Sequence, residues 1–319
     1  MSGPSLVAVE LSAVILALAI EGREARPMVL TPAGPAGADL PTAAFDPDRH
    51  RTLQTALRDW VRARTGLDLG YVEQLYTFGD PVRSSGRSPG QPHTVSIGYL
   101  ALVAPEAAEG PDWTAWSAWF PWEDRRHPLS SALTGALETG LAGWVEAARG
   151  PARAARRDRV CRLFGTGGAP WRDELVLERY ELLYEAELVP EAWRDRGLEP
   201  PAGLAPLGRP APRDHRRILA TGIGRLRGKL KYRPVLFELM GGSFTLYELQ
   251  RAAEAVCGVA LHKQNFRRMV ERSGLIERTG HLSSRQGGRP AAEYRFVPDA
   301  MGERGGSAVH FGAARRGDA

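Results

Sequence analysis

The sequence predicts an α+β chain built as two modules, and three features of it carry that prediction. β-branched, apolar runs alternate with one amphipathic helical segment in the first hundred residues. A proline-dense stretch follows at 189–212. Beyond it, helical periods joined by a tight turn give way to two strand-like runs around a loop of glycine and arginine. With 319 residues, 43% hydrophobic and 25% charged, the composition is that of a globular chain. It argues against a disordered or collagen-like polymer, and the length suits about two domains.

The first module reads in order. Val7–Ile20 is apolar and rich in β-branched residues, Glu21-Gly22-Arg23-Glu24 supplies a turn, and Pro27–Leu30 resumes the apolar run, giving two strands. Residues 31–50, rich in Pro, Gly and Ala, form a loop. Thr52–Thr65 is helical, because Leu53, Ala56, Leu57, Trp60 and Val61 recur at 3–4 spacing and Gly66 follows as a stop. Tyr71–Phe78 and Thr94–Val103 are strands separated by a polar turn. Trp113, Trp116, Trp119 and Trp122 fall three residues apart. Such a row could stack bases, but its surroundings carry no net positive charge, so packing is expected. Leu129–Ala147 and Asp173–Leu188 are helices, and the Arg-rich run Arg149–Arg162 is a solvated helix face or loop. Pro190, Pro200, Pro201, Pro206, Pro210 and Pro212 exclude a helix or central strand and mark a boundary. The expected limits are 1–188 for the first domain, 189–212 for a linker, 213–298 for the second domain and 299–319 for a flexible tail.

The second module opens with a helix, Asp214–Leu230, whose Leu219, Ile223, Leu226 and Leu230 form an apolar seam with Arg216, Arg225, Arg227 and Lys229 off it. Tyr232-Arg233-Pro234 breaks that helix, and a short one follows at Val235–Met240. Thr245 and Glu248 form a capping-box pattern. The helix they open buries Leu246, Leu249, Ala253 and Val256 and stops at Gly258. His262–Ser273 is a further helix with Phe266, Met269 and Val270 inward. A strand begins at Leu275-Ile276, Gly280–Gly288 is a basic loop, and Ala292–Phe296 closes as a strand. Two helices across a tight turn, then strand, loop and strand, is the layout of a winged helix-turn-helix. In that layout the second helix enters the major groove of duplex DNA, and its outward side chains must donate hydrogen bonds. Here these are His262, Lys263, Gln264, Asn265, Arg267 and Arg268. Asn and Gln pair bidentately with adenine and Arg with guanine. Arg285 and Arg289 sit where a wing meets phosphates or the minor groove.

Charge agrees with a polyanion partner. The chain carries a net +5, divided as −5 over residues 1–212, +9 over residues 213–300 and +1 over residues 301–319. Its only cysteines, Cys161 and Cys257, exclude a disulfide scaffold, and with no Cys/His cluster nearby no metal site is expected. Reduced thiols suit a cytoplasmic protein. Leu6–Ile20 contains Glu10 and is too short and polar to span a membrane, so no membrane partner is expected.

Tyr71-Val-Glu-Gln-Leu-Tyr-Thr-Phe-Gly-Asp-Pro81, followed by Val95–Leu102, resembles the central part of Nudix-fold domains, in the variant found in Nudix-related transcriptional regulators of NAD metabolism. Asp214-His215, Arg225–Lys229, Phe244–Gln250, Asn265–Arg268 and Gly288-Arg-Pro290 resemble that family's C-terminal winged helix in order and spacing. The likeness covers most of residues 7–297 and is diffuse between 104 and 212. The Trp- and Arg-rich middle resembles the proteobacterial branch of NAD-biosynthesis regulators. It implies an N-terminal Nudix-like α/β/α sandwich with a mixed sheet and a C-terminal winged helix-turn-helix. It further implies a cytoplasmic homodimeric repressor that binds the palindromic operators of NAD biosynthesis or salvage genes.

A hydrolytic Nudix domain carries G-x5-E-x7-R-E-U-x-E-E-x-G-U, whose glutamates hold magnesium through oxygen. Aligned on Gly66, this chain has Trp60 at the first glutamate of that helix, and Ala63 and Arg64 at the pair. Arg51 falls at the isolated glutamate and Phe45 at the leading glycine, with Asp48 a remote candidate ligand. The resemblance therefore implies a module that is not an enzyme, holds no cofactor, and senses ADP-ribose, NAD or ATP. By the same analogy the effector pocket uses Gln74, Tyr76, Phe78, Asp80, Arg83 and Arg87. Two rival readings remain: an active ADP-ribose pyrophosphatase with an accessory basic domain, and a basic module for protein or RNA.

Overall fold

The structure is a computed structural model, and it describes residues 7–22, 24–34, 37–80, 93–108, 112–231, 233–283 and 290–297. Its centre is β1 (Val7–Glu21), whose residues from Leu11 to Leu18 are all buried. That continuous burial is the signature of a strand covered on both faces. β1 pairs antiparallel with β2 (Glu24–Leu30) across the Gly22 turn. Two-residue strands β3 (Ala33–Gly34) and β4 (Gly37–Ala38) form a small ladder, and β5 (Thr42–Ala44) pairs antiparallel with the first half of β1. β6 (Val72–Phe78) pairs antiparallel with β7 (His93–Leu102), which runs parallel to β1. β8 (Trp113–Ala115) closes the far side, so the sheet order is β6-β7-β1-β2-β8 with β5 beside β1.

One face of this sheet is covered by α1 (Leu53–Thr65). Thr52 caps its first turn, and Gly66 ends it in the left-handed conformation. Ala56, Leu57 and Val61 of α1 pack on Leu11, Ala13 and Ile15 of β1 and on Tyr99 and Ala101 of β7. The other face is covered by α6 (His215–Leu230), reached after α2 (Ser131–Glu146), α3 (Pro151–Phe164), α4 (Val176–Glu185) and α5 (Pro190–Arg194). α6 lies so close to β1 that a Cβ on Gly222 would stand 2.9 Å from Val14 Cγ1. Its Leu219, Ile223, Leu226 and Leu230 are buried, each contributing roughly 1.5–3 kcal/mol. The mixed sheet between α1 and α6 is the α/β/α sandwich that the resemblance implied.

α6 was expected to open the second module, and the structure corrects this: it is the second cover of the first sheet. The 189–212 stretch is likewise folded against the body. Pro190 sits in the first turn of α5, where its missing N–H costs nothing. Val189, Ala192, Leu207 and Ala211 are buried. Proline density marked irregular backbone correctly at 200–212, but irregular backbone is not the same as a free linker.

The remaining segment is three-stranded and helical. A 3-10 turn at Val235–Leu239 leads to β9 (Phe244–Thr245) and α7 (Leu246–Cys257). Thr245 and Glu248 make a full capping box. After Gly258 come α8 (Lys263–Ser273), β10 (Ile276–Ser283) and β11 (Ala291–Phe296). β11 pairs antiparallel with both β10 and β9. α7 rests on β2, so one apolar core runs from Val14 and Leu18 through Trp116 and Leu226 to Val256 and Tyr294. The tryptophan row packs as expected, with Trp113, Trp116, Trp119 and Trp122 all buried. Among the described residues, no helix is long and apolar enough to cross a membrane.

Candidate nucleic-acid interface and effector cavities

α8 is amphipathic by construction. Phe266 and Val270 are buried, while His262, Lys263, Gln264, Asn265 and Arg268 are exposed. Asn265 Oδ1 accepts from Arg268 Nη2 at 3.2 Å, which holds two candidate base readers side by side. Arg267 is half-buried, and its Nε is buried without a partner among the described residues. Five of the six predicted readers are therefore exposed to solvent, and Arg267 is half-buried. Arg285 and Arg289 lie outside the described residues.

The helix pair is anchored to the first module. Arg125 N–H donates to Gly258 O at 2.7 Å, and Gly258 approaches the Glu123 carbonyl so closely that any Cβ would overlap it. Arg227 of α6 donates to Val256 O at 2.8 Å and to Glu123 Oε2 at 2.5 Å. Arg179 of α4 completes the cluster at Glu123 Oε1 and Oε2. Burial alone would raise the Glu123 carboxyl, but the two facing guanidinium groups outweigh it and hold the carboxyl below its ordinary range. Nearby, burial and the Asp173 carboxylate push the Cys257 thiol up to about 12.

This wiring corrects the charge argument. Arg213, Arg216, Arg217, Arg225, Arg227, Lys229 and Lys231 all pair with carboxylates of the first 214 residues. Much of the positive excess in residues 213–300 is therefore neutralised internally. The electrostatic footprint for a polyanion lies instead on α8.

The predicted effector residues divide between the faces of the sheet. Gln74 stands opposite Tyr99 and accepts from its hydroxyl at 3.3 Å on the α1 side. A register shift between Gln74 and Thr77 then moves Phe78 to the α6 side, next to Ile218 and Gly98. Without that bulge, residues four apart on a strand would share a face. Tyr76 is 59% exposed, and Asp80 is exposed beyond the strand end. Arg83 and Arg87 lie outside the described residues.

Two cavities follow α1 instead. One, of about 480 Å³, is lined by Phe45, Arg51, Leu53, Val72, Gln74 and Tyr99 at the helix start. The other, of about 270 Å³, is lined by Pro32, Asp39, Thr42, Trp60, Arg64 and Arg213. Leu53, Trp60 and Arg64 are spaced seven and four apart and so form one stripe of the helix. Sequence reasoning met Arg51, Trp60 and Arg64 as departures from a metal motif, with Arg64 able to attract a phosphate in place of a cation. It missed Tyr99 and Arg213, whose positions depend on pairing across the sheet and on the packing of α6.

A Nudix domain implies magnesium, and the residues on α1 do not fit it. An indole, a methyl and a guanidinium offer no hard oxygen ligand. Among the described residues, no group of three or more His, Cys, Asp or Glu could hold a metal ion.

The structure thus has two parts, a mixed-sheet sandwich and a smaller module with the winged-helix layout. Comparison with known proteins gives the same division. Residues 236–296 match the family described as the NrtR DNA-binding winged helix domain, so the module after α6 is a winged helix of that type. The ADPR-responsive transcriptional repressor NtrR of Acinetobacter baylyi is 41% identical over 84 residues, 26% of this chain and 33% of the relative. The chain thus spans about a third of the length of that curated relative. Shewanella oneidensis NrtR, in a crystal structure with a 27mer DNA, superposes with a TM-score of 0.52 at 18% identity, over 92% of this chain and 95% of that one. A MutT/nudix family protein from Enterococcus faecalis superposes at 0.50 and 16% identity, over 93% and 89% of the two chains. These structural likenesses establish the shared fold.

Proposed function

We propose that this protein is a metabolite-responsive transcriptional repressor of NAD biosynthesis or salvage genes. Its α8 reads operator DNA, and its sandwich senses an NAD-related nucleotide, with ADP-ribose the first candidate. The observation that carries the reading is the row of exposed donors on α8, set on a winged helix of a DNA-binding family. The responsiveness of the Acinetobacter relative to ADP-ribose supports the choice of effector. The proposed protein is cytoplasmic and is not a hydrolase, since the α1 positions that would hold magnesium carry Trp60, Ala63 and Arg64.

In the proposed mechanism, two copies place two α8 helices in successive major grooves of a palindrome, about one helical turn apart. α6 spans the molecule, packing on the sheet at β1 and gripping Val256 of the DNA-reading module through Arg227. A ligand that favours one setting of α6 would displace one reader while its twin is docked. Coupling of about 1–3 kcal/mol is enough for regulation of this kind. The test is duplex binding measured by anisotropy on NAD-gene promoters, with competition by single-stranded DNA and RNA. Preference for duplex operator supports the reading. Equal competition by RNA would replace it with a general basic binder.

A further inference from the structure

The 270 Å³ cavity beside α1 has an unusual lining. Arg64 is exposed and makes no ion pair among the described residues. Arg213 reaches Glu10 through Nη1 alone, at 2.8 and 2.7 Å from the two carboxylate oxygens. Its Nε and Nη2 make no hydrogen bond among the described residues. Trp60 adds an indole to the lining. Two guanidinium forks around one small space suit a ligand with several anionic oxygens, because each fork can bind a pair of them. The volume falls below the roughly 300–1,000 Å³ of ordinary small-molecule pockets. It holds a phosphate-sized group and not a whole nucleotide.

We infer that Trp60, Arg64 and Arg213 form a diphosphate site that works without a divalent cation, and that Arg213 is shared between the ligand and Glu10. The inference rests on the nucleotide reading above and assigns that nucleotide's diphosphate to a position. Arginine supplies the positive charge that a metal would otherwise bring, so the misfit to magnesium becomes the basis of recognition. Among the described residues, Asp39 is the one opposing carboxylate in the lining. Its Oδ1 is buried without a partner, and burial, against the pull of Arg213 and Arg209, raises its carboxyl above the ordinary range. A carboxyl that protonates readily opposes an anion less than a fixed charge does.

The site also touches the start of α6. Arg213 has a left-handed backbone (φ 49°) two residues before His215, and His215 Nδ1 accepts from Leu40 N–H at 3.2 Å in the cavity loop. A ligand that draws Arg213 away from Glu10 therefore acts on the helix that grips the DNA-reading module at its other end.

The test is calorimetric titration of the full chain with ADP-ribose, in EDTA and in magnesium, and with sodium pyrophosphate in EDTA. The site predicts the same ADP-ribose affinity with and without the metal. Arg64→Ala and Arg213→Asn each weaken both ligands by about tenfold or more, while Asp39→Asn tightens them. Asn keeps the left-handed backbone accessible, and an unchanged melting temperature excludes misfolding of the exposed Arg64 variant. ADP-ribose binding that vanishes in EDTA, or that ignores both arginine variants, overturns the site and leaves the nucleotide reading standing. Pyrophosphate binding that needs Arg64, with no binding of ADP-ribose, supports the site and overturns the nucleotide reading.

Discussion

Arg227 and Glu123 meet beside the junction of the two modules with their side chains almost wholly enclosed, Nη1 lying 2.5 Å from Oε2 and Nη2 3.1 Å from the Glu123 carbonyl. Arg179 shares the same carboxylate. One anion thus offsets two buried cations, and through the bond from Arg227 to Val256 O this charged node also reaches α7 of the winged-helix module. Glu123→Ala leaves both guanidinium groups uncompensated, and its expected cost is about 3–5 kcal/mol. Urea unfolding of the variant against the native chain measures it.

His215 gives the chain an acid limit. Burial, with help from the charges of Arg213 and Arg194, lowers its pKa to about 3. The folded form therefore keeps the ring neutral while the unfolded chain takes up a proton near pH 6.5. With the folded pKa depressed, its stabilising contribution is present above pH 6.5 and is lost as pH falls toward 3. The slope approaches 1.4 kcal/mol per pH unit inside that window. Glu123, also held low, adds a loss that begins as pH falls below the ordinary glutamate value, where the unfolded chain takes up its proton first. Denaturation curves at several pH values should show this slope, and His215→Asn should flatten it between pH 6 and 4.

The exposed face of α8 predicts a division of labour. Asn265→Ala and Arg268→Ala should each weaken specific operator binding by about 1–3 kcal/mol and relax the preference at one base position. Lys263→Ala should weaken all duplexes alike and reduce the salt dependence of binding by about one counterion. Anisotropy titrations at several salt concentrations separate the two effects. Equal affinity of all three variants for the operator would remove α8 as the reader.

Gly258 has φ 71° at the end of α7, and its backbone lies against Glu123. Gly258→Ala meets both the left-handed penalty of about 1–2 kcal/mol and an overlap with that carbonyl. The expected result is lower stability with a larger loss of operator affinity than Thr245→Ala, which removes a helix cap worth about 1 kcal/mol. Thermal melts and anisotropy on the pair measure this.

Much of this architecture was legible where local chemistry decides it. Thr52 and Gly66 bracket α1, and Thr245, Glu248 and Gly258 bracket α7, because caps act within a few residues. The spacing of Phe266 and Val270 told the inner face of α8 from the outer one. The errors arose where distant segments decide. The seam of α6 was read correctly, but not that Val14 of β1 lies beneath it. The arginines off that seam were given no partners, yet they meet Glu73, Glu123 and Glu191, 25 residues away at the least. The bulge in β6 carries no glycine or proline to announce it, so Gln74 and Phe78 were placed together when they face opposite sides. β9, two residues long, is defined only by its partner β11.

The most direct measurement is operator affinity of the full chain on the region upstream of its own gene, titrated with ADP-ribose, NAD and ATP. The account predicts tight, duplex-specific binding that one of these nucleotides changes by about 5–150-fold, without the nucleotide being consumed. Indifference of the DNA complex to all three, together with magnesium-dependent release of AMP from ADP-ribose, would contradict it.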